Sequence, residues 1–315
     1  MNRLIRIGTR GSKLALWQAN WTKSFLETQF PTTPIELIII QTQGDKIMDV
    51  PLAKVGGKGL FVKEIEQALL AERIDIAIHS MKDMPADIPE GLCIGAVPER
   101  ENPSDVFISR SGAPFKELPA GSVIGTSSLR RGAQLRHARA DMVIQPIRGN
   151  LDTRLKKLES ENLDALVLAA AGVKRLNLEH KITEYLDTTI MLPAIGQGAL
   201  CVEIRKDDPI VGPMVVTMEH AHTRAIVNGE RAFLKRLEGG CQVPIAGHGI
   251  IKKNTFTLTG LVADIDGATV IKGKKSGPVE SAENVGIDLA EELLGRGAIN
   301  ILEELRKMAI ENDEN

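Results

Sequence analysis

Short apolar segments that alternate with helical repeats constrain the fold of this chain most strongly. Ile35 to Ile40 is apolar except for Glu36, and this composition predicts a strand buried on both faces of a parallel sheet. Before it, Leu4 to Thr9 predicts a strand, and Gly11-Ser12 opens a segment whose apolar residues recur every three or four positions. The same order of strand and helix returns after residue 120. The sequence therefore predicts α/β domains with doubly wound sheets.

Changes in composition divide the chain into three regions. The charged stretch Pro98 to Pro103 contains two prolines and indicates a crossing between domains. Val202 to Ile204 predicts a strand that returns to the first sheet, and the strand-like runs after Ile245 predict a small antiparallel sheet followed by helices. The predicted domains are 1–98 with 199–216 (α/β, discontinuous), 104–192 (α/β) and 221–315 (α+β).

The net charge and the cysteine and histidine residues of the chain argue against several classes of protein. The formal net charge of -2 over 315 residues argues against a general nucleic-acid binder, which needs a basic excess to follow phosphates. Cys93, Cys201 and Cys241 form no C-x-x-C pair, so neither a disulfide framework nor a zinc knuckle is expected. The histidines form no convincing metal set. We expect a cytoplasmic protein without a metal.

The chain also shows no membrane or export signal. Its first six residues alternate charged and apolar side chains and lack the apolar core of a signal peptide. No apolar run reaches the roughly 18 residues that a membrane-spanning helix needs. We therefore expect no membrane partner.

Basic residues are placed at loops and helix starts instead of on the polar faces of helices. A guanidinium beside the free N–H groups of a helix N-terminus suits carboxylate or phosphate. Any one of these residues could simply be a surface cation near a capping serine, but the whole set predicts a polyanionic ligand. The set is Arg10, Lys54, Lys58, Lys82, Arg130, Arg131, Arg148 and Arg154.

Two further features have both a structural and a chemical interpretation. Asp83 follows a predicted strand beside Lys82, where it could stabilise a cation or pass a proton, or only form a turn before Pro85. Cys241 follows two glycines and precedes Pro244, so it is either a small buried side chain or a thiol that can meet a bulky group.

The motifs together resemble the porphobilinogen deaminase (hydroxymethylbilane synthase) family over nearly the whole chain. The matching segments are Thr9-Arg10 with Leu14 to Gln18, Leu52 to Phe61, His79 to Asp83, Gly125 to Arg131, Arg148 to Asn150, Leu192 to Gly198 and Leu237 to Pro244. Lys13, where proline is more common, and Asn228 to Glu230 depart from the family pattern. Neither departure touches a residue with a chemical role.

The resemblance implies a fold, a reaction and a cofactor. The fold is two α/β domains like those of type II periplasmic binding proteins, with a small α+β domain that carries the cysteine. The reaction condenses four porphobilinogen molecules head to tail, releases ammonia from each and ends with hydrolysis to hydroxymethylbilane. The primer is a dipyrromethane cofactor joined by a thioether to the cysteine, which by position is Cys241. The resemblance also implies a monomer.

The resemblance further implies a role for each matching residue. Asp83 is the catalytic carboxylate that stabilises the cationic azafulvene left by ammonia loss. The cofactor would be bound by Cys241, Lys82, Asp83, Ser128, Arg130 and Arg131, and the substrate by Arg10, Ser12, Gln18, Arg148, Arg154 and Arg175. Lys54, Lys58 and Phe61 would belong to a flexible lid.

Two other functions remain open on the residues alone. The same clamshell of anion-binding groups could serve a non-catalytic two-domain anion receptor. Cys241 could also be the nucleophile of an acyl- or phosphoryl-transferring enzyme, although no histidine partner is evident.

Overall fold

The computed structural model describes residues 3–46, 59–238 and 243–313. These residues form two compact units, each described here by itself. The first unit comprises the described parts of Met1–Met48, Gly57–Glu101 and Gly198–Arg224. The second comprises those of Asn102–Gln197 and Ala225–Asn315.

Strands and helices are numbered in chain order. The strands are β1 (Ile5–Thr9), β2 (Ile35–Ile39), β3 (Ile76–Ser80), β4 (Leu92–Ala96), β5 (Asp105–Ser109), β6 (Val123–Gly125), β7 (Val143–Gln145), β8 (Ala165–Ala169), β9 (Glu184–Tyr185), β10 (Leu200–Arg205), β11 (Ile245–Lys252), β12 (Thr255–Ala263) and β13 (Val270–Pro278). The helices are α1 (Lys13–Gln29), α2 (Gln43–Lys46), α3 (Lys63–Leu70), α4 (Leu129–Ala138), α5 (Leu151–Ser160), α6 (Ala170–Arg175), α7 (Val211–Val215), α8 (Ala221–Arg236), α9 (Ala282–Leu293) and α10 (Ile299–Asp313).

The first unit is built on a five-stranded sheet in the order β2-β1-β3-β10-β4. β1 pairs in parallel with β2 and β3, whereas β10 lies antiparallel between β3 and β4. One face packs Ile5 and Ile7 against Leu26 of α1, and the other packs against Ile65 and Leu69 of α3. Helices cover both faces of this sheet, but β2 lies at its edge: Leu37 and Ile38 are half-buried against the two cores, whereas Glu36 and Ile39 are exposed. The burial of this strand expected from the sequence is therefore only partial.

The second unit contains a sheet of the same kind, in the order β7-β6-β8-β5-β9. β6 pairs in parallel with β7 and β8, and β5 runs antiparallel beside β8. Its two faces carry separate cores, one around Phe107 and Leu135 and one around Leu158 and Leu168. The predicted doubly wound α/β fold class is thus confirmed.

The same unit contains a three-stranded antiparallel sheet, β11-β12-β13, against which α9 packs. Its core contains Phe233, Phe256 and Leu289, all fully buried. This is the small α+β part that the sequence predicts. The three predicted domain boundaries stay a prediction, because the described chain divides into two units.

The hairpin turn between β12 and β13 lies directly on α4. Gly267 has φ 71°, and a Cβ atom there would lie 2.1 Å from the carbonyl oxygen of Ala133. On either side of this close approach, Arg136 Nη1 donates to the carbonyl of Ile265 (3.0 Å) and His137 Nδ1 lies 2.9 Å from the carbonyl of Gly267. Only glycine fits this turn, since any side chain would meet the backbone of α4.

Among residues 3–46, 59–238 and 243–313, no helix is both long and apolar enough to span a bilayer.

Candidate functional site

The end of β3 carries the predicted catalytic residue. β3 ends at Ser80, and Met81–Asp83 form a single 3-10 turn directly after it. Met81 is buried and its N–H donates to the carbonyl of Ala199 (3.0 Å), whereas Lys82 and Asp83 are half-buried. The strand thus delivers one cationic and one anionic side chain at its carboxyl end, the edge where open α/β sheets bind ligands.

The first helix supports this strand end. Gln18 of α1 is buried and its Nε2 donates to the hydroxyl of Ser80 (3.0 Å). Ser12 is the N-cap of α1, and its hydroxyl accepts from the N–H of Ala15 (3.3 Å). Two predicted substrate-binding residues therefore also have structural partners, which fix the start of α1 and join it to β3.

Arg10 lies between a carboxylate and an aromatic ring. Its Nε and Nη2 donate to Asp45 at 3.1 and 2.5 Å, and its guanidinium carbon lies 4.1 Å from the centre of the Phe61 ring. Burial would raise the pKa of Asp45, but the hydrogen bond and charge of Arg10 hold it below its usual value. The arrangement orients Arg10 and places Phe61, a predicted lid residue, against it.

In the second unit, Arg130 and Arg131 converge on one buried carboxylate. Both are in the first turn of α4, whose N-cap Ser128 accepts from the N–H of Arg131 at 3.4 Å. Arg130 Nη1 lies 2.8 Å from Asp105 Oδ2, and Arg131 Nε lies 2.9 Å from Asp105 Oδ1. Gln197 Nε2 donates to the same Oδ1 at 3.1 Å.

This group carries surplus positive charge. Burial would raise the pKa of Asp105, yet the charges of Arg130 and Arg131 hold it well below its usual range. Two guanidinium groups facing one ionised carboxylate leave one formal positive charge at the start of α4, where the helix dipole also favours an anion. The group is therefore chemically suited to a carboxylate ligand.

Arg148 is the clearest unsatisfied cation of the second unit. Its Nη1 is buried and has no hydrogen-bond partner among the described residues. Gly149, with φ 110°, turns the chain behind it, and its carbonyl accepts from Arg154 Nε at 2.9 Å. A buried N–H donor without a partner costs free energy unless a ligand supplies an acceptor. The buried Nη1 of Arg148 is thus suited to an anionic ligand that accepts its hydrogen bond.

The other predicted residues of this region differ in their surroundings. Asn150 occupies the N-cap position of α5, and its side chain makes no capping hydrogen bond. Arg175 is buried at the end of α6. Lys54, Lys58 and Cys241 lie outside the described residues.

Asp105 and Gln197 are the residues that the sequence analysis missed. Gln197 appears there only as part of a motif, and Asp105 lies two residues after the stretch interpreted as a domain crossing. The available signal is a charged residue at the first position of the apolar run Asp105–Ser109, since a buried carboxylate requires a partner.

The chain matches two profiles of one protein family. Residues 5–212 match the profile described as "Porphobilinogen deaminase, dipyromethane cofactor binding domain", and residues 225–295 match "Porphobilinogen deaminase, C-terminal domain".

Similar full-length proteins carry the same name. The porphobilinogen deaminase of Pelobacter propionicus is 54% identical over 308 residues, which cover 98% of this chain and 99% of that protein. That of Geobacter metallireducens is 53% identical over 310 residues, covering 98% and 97%. That of Carboxydothermus hydrogenoformans is 53% identical over 311 residues, covering 99% and 100%.

One solved structure with a distant likeness is a periplasmic binding protein. The alkanesulfonate-binding protein SsuA from Xanthomonas axonopodis pv. citri, bound to MOPS, has a TM-score of 0.38 and 17% identity, with 74% of each chain covered.

Proposed function

The chain belongs to the porphobilinogen deaminase family, and from that premise we propose that Asp83 is its catalytic residue. The protein is a transferase that condenses four porphobilinogen molecules head to tail, releases ammonia from each and hydrolyses off hydroxymethylbilane. The observation that carries this function is the family match over residues 5–212, the dipyrromethane-binding region.

The described residues fit the dipyrromethane cofactor. Its two pyrrole rings carry an acetate and a propionate each, so a binding site needs cationic groups that are not fully neutralised by the protein. Arg130 and Arg131 share a single carboxylate, Asp105, and Arg148 Nη1 is buried without a described partner. When bound, the dipyrromethane supplies the end to which the first porphobilinogen is joined.

The cofactor-binding residues proposed here come from both sheets. Lys82, Ser128, Arg130 and Arg131 bind the cofactor carboxylates, and Asp83 faces its pyrrole N–H groups. Cys241 forms the thioether, because a thiolate captures an electrophilic carbon readily and the resulting bond survives turnover. For Arg130 and Arg131, support comes from their surplus charge beside Asp105.

A second set of residues is proposed to bind the substrate and the growing chain. Four added rings bring about eight more carboxylates, which repel one another unless cations oppose them. The set is Arg10, Ser12, Gln18, Arg148, Arg154 and Arg175. Phe61, with Lys54 and Lys58, belongs to the lid. The contact of Phe61 with Arg10 supports a lid that touches a substrate-binding residue.

Asp83 acts on the charge that develops when ammonia leaves. Loss of ammonia makes the substrate ring a cation whose charge is shared with the pyrrole N–H. A carboxylate that accepts this N–H stabilises the cation and can take the proton. Asp83 is half-buried beside Lys82, on a turn held by Met81 and the Gln18–Ser80 hydrogen bond. These contacts support a fixed position for its carboxylate.

Intact-mass measurement tests this function without any assay of rate. We expect the purified wild-type chain to be heavier than its sequence by two porphobilinogen units less two ammonia molecules. The Cys241→Ser chain is expected at its sequence mass and without turnover, because an alcohol is a much weaker nucleophile than a thiolate. Cys93→Ser is the matched control and should keep the added mass.

The same measurement separates the enzyme from a non-catalytic anion receptor. A wild-type chain at its bare sequence mass, after expression in a cell that makes porphobilinogen, would count against the transferase. An adduct that persists in Cys241→Ser would place the thioether on another cysteine.

Arg148 provides a second test. Arg148→Ala removes a buried donor that we propose a substrate carboxylate satisfies, so KM for porphobilinogen should rise by about 10- to 100-fold, the effect of one lost charge-assisted hydrogen bond. Stability should change little or increase, because the unpaired buried donor disappears. Steady-state kinetics and urea unfolding measure the two effects. Arg110→Ala, an exposed arginine paired with Asp164, is the control, and an unchanged KM in Arg148→Ala would remove Arg148 from the site.

Finer properties of the protein are also proposals. The net charge of -2 supports a protein that binds neither nucleic acid nor anionic membranes. We propose a monomer in the cytoplasm; the absence of a C-x-x-C pair from the sequence supports a reducing compartment.

A further inference from the structure

Three acid–base side chains are buried in the first unit, away from the residues assigned above. Glu66 of α3, His79 of β3 and Glu203 of β10 are 7%, 5% and 0% exposed. His79 Nε2 lies 3.0 Å from Glu203 Oε2. In the strand register, Glu203 lies opposite Ala77 and His79 opposite Cys201. We call Glu66, His79 and Glu203 the buried cluster.

The surroundings of the buried cluster are apolar. Ile65, Leu69 and Ala77 form the core between α3 and the sheet. Glu66 Oε1 and Glu203 Oε1 are both buried and have no hydrogen-bond partner among the described residues. Two fully ionised carboxylates in such a place would be costly even with an imidazolium beside them. One carboxyl must therefore carry a proton over part of the ordinary pH range.

Glu66 is the carboxyl that holds this proton. Burial, and then the negative charge of Glu203, raise the pKa of Glu66 to about 7, while the charge of His79 opposes the rise. Like-charged carboxyls that share a site separate their protonation in this way. Glu66 is therefore the member of the buried cluster that gains and loses a proton near neutral pH.

Other charged groups near α3 have partners of their own. From β1, Arg6 bonds to Asp75, and from β10, Arg205 bonds to the same carboxylate. From β4, Cys93 stays a neutral thiol, because burial and nearby carboxylates raise its pKa. On α3 itself, Glu64 accepts from the N–H of Gln43. Within residues 3–46 and 59–238, His79 is thus the group placed to balance the two buried glutamates.

His79 connects the buried cluster to the end of β3, which leads to Asp83. His79 is the residue before Ser80, which receives the hydrogen bond of Gln18 and begins the segment that ends at Asp83. A rigid bond from His79 to Glu203 therefore fixes the direction of β3 four residues before the carboxylate. We propose that Glu66, His79 and Glu203 share one proton, and that His79 is a positioning residue for Asp83. The positioning role rests on the proposed catalytic role of Asp83, whereas the shared proton does not.

Infrared spectroscopy of the wild-type protein tests the shared proton directly. A protonated carboxyl has a carbonyl band that carboxylates lack, and we expect such a band near pH 6 that disappears as the pH rises through about 7. Glu66→Gln should lack this band, whereas Glu36→Gln, an exposed glutamate on the same sheet, should keep it. Absence of the band in the wild type, or its persistence in Glu66→Gln, would overturn the shared proton.

Thermal unfolding gives an independent measure of the same proton. Because Glu66 has a higher pKa in the folded chain than its ordinary value of 4.5, the stabilisation is complete below that value and is lost as the pH rises through about 7. The Tm of the wild type should therefore fall over this range. The Tm of Glu66→Gln should fall less, and parallel curves for the two proteins would contradict the proposal.

Two substitutions of His79 test the positioning role. His79→Phe keeps the ring volume but loses the bond to Glu203, and kcat should fall about 10- to 100-fold, the effect of a small misplacement of a catalytic group. KM for porphobilinogen should stay within about threefold, and intact mass should show the cofactor attached. His79→Gln keeps an N–H donor and should recover most of kcat, which a purely structural role would not explain.

The outcomes distinguish this inference from the proposed function. Equal kcat values for His79→Phe and the wild type, in a folded protein that keeps the infrared band, would overturn positioning alone. Should Asp83→Asn keep full turnover, the role of Asp83 would fail while the infrared result stood. If His79→Phe does not fold, Glu203→Leu removes the partner of His79 Nε2 with a modest change in volume and is expected to show the same loss of kcat.

Discussion

Asp83→Asn is expected to lower kcat by about 10²- to 10⁴-fold, the usual contribution of a positioned acid–base group. Asparagine has nearly the shape of aspartate but no negative charge, so the cation formed on ammonia loss is left without its counter-charge. The Met81–Asp83 turn is held by the hydrogen bond from the N–H of Met81 to the carbonyl of Ala199, and the substitution should not change it. The fold and the attached cofactor should therefore persist. Single-turnover kinetics with porphobilinogen, after intact-mass confirmation of the cofactor, measure the loss.

A control separates this effect from a general change of charge at the strand end. Asp87 is exposed and lies four residues further along the chain, so Asp87→Asn should leave kcat within about twofold of the wild type. A wild-type rate in Asp83→Asn would show that Asp83 is only a turn residue before Pro85. Loss of the cofactor from Asp83→Asn would instead assign the carboxylate to cofactor assembly.

Asp105→Ala is expected to destabilise the protein by about 3–5 kcal/mol, because it leaves two buried guanidinium groups without their carboxylate. Asp105 is fully buried, and Arg130 and Arg131 both contact it. Its pKa is held below the usual range, so its contribution is complete above about pH 4 and is lost only as the pH falls below that. Urea unfolding at pH 7 therefore measures the whole effect.

Matched variants test the cause of this loss. Asp141→Asn breaks an exposed arginine–aspartate pair and should change stability little. Adding Arg131→Leu to Asp105→Ala removes one unpaired charge and should restore part of the stability. If Asp105→Ala unfolds at the same urea concentration as the wild type, the carboxylate is not the counter-charge of the two arginines.

Local residue patterns predicted much of this fold but failed where a strand depends on pairing with residues far away in the sequence. The alternation of strand and helix and the small antiparallel sheet after Ile245 follow from local residue order. β4 and β5 were not predicted, since Leu92–Ala96 contains a glycine and Asp105–Ser109 follows two prolines. The full length of β13 is also hard to predict, because its alternating exposed lysines are typical of a strand at a sheet edge and weaken its apolar pattern.

The sequence also predicted the family of the chain, but not the hydrogen-bond partners of the site residues. The family is confirmed, because its motifs are contiguous segments whose residue types can be read directly. The site residues remain predictions. Their partners could not be predicted, since Asp105 bonds to arginines 25 and 26 residues away and Glu203 bonds to a histidine 124 residues away. Such contacts are made by the packing of whole elements and leave no local signal.

The turn at Gly267 has a consequence for how the chain can vary. Hairpin tips normally point into water, where residues can be inserted or lost without effect on the core. Here the tip contacts Ala133 and forms hydrogen bonds with Arg136 and His137 of α4. The first turn of this helix carries the two buried arginines. The length of this hairpin is therefore constrained within the second unit. An added residue would push α4, and with it Arg130 and Arg131, away from Asp105.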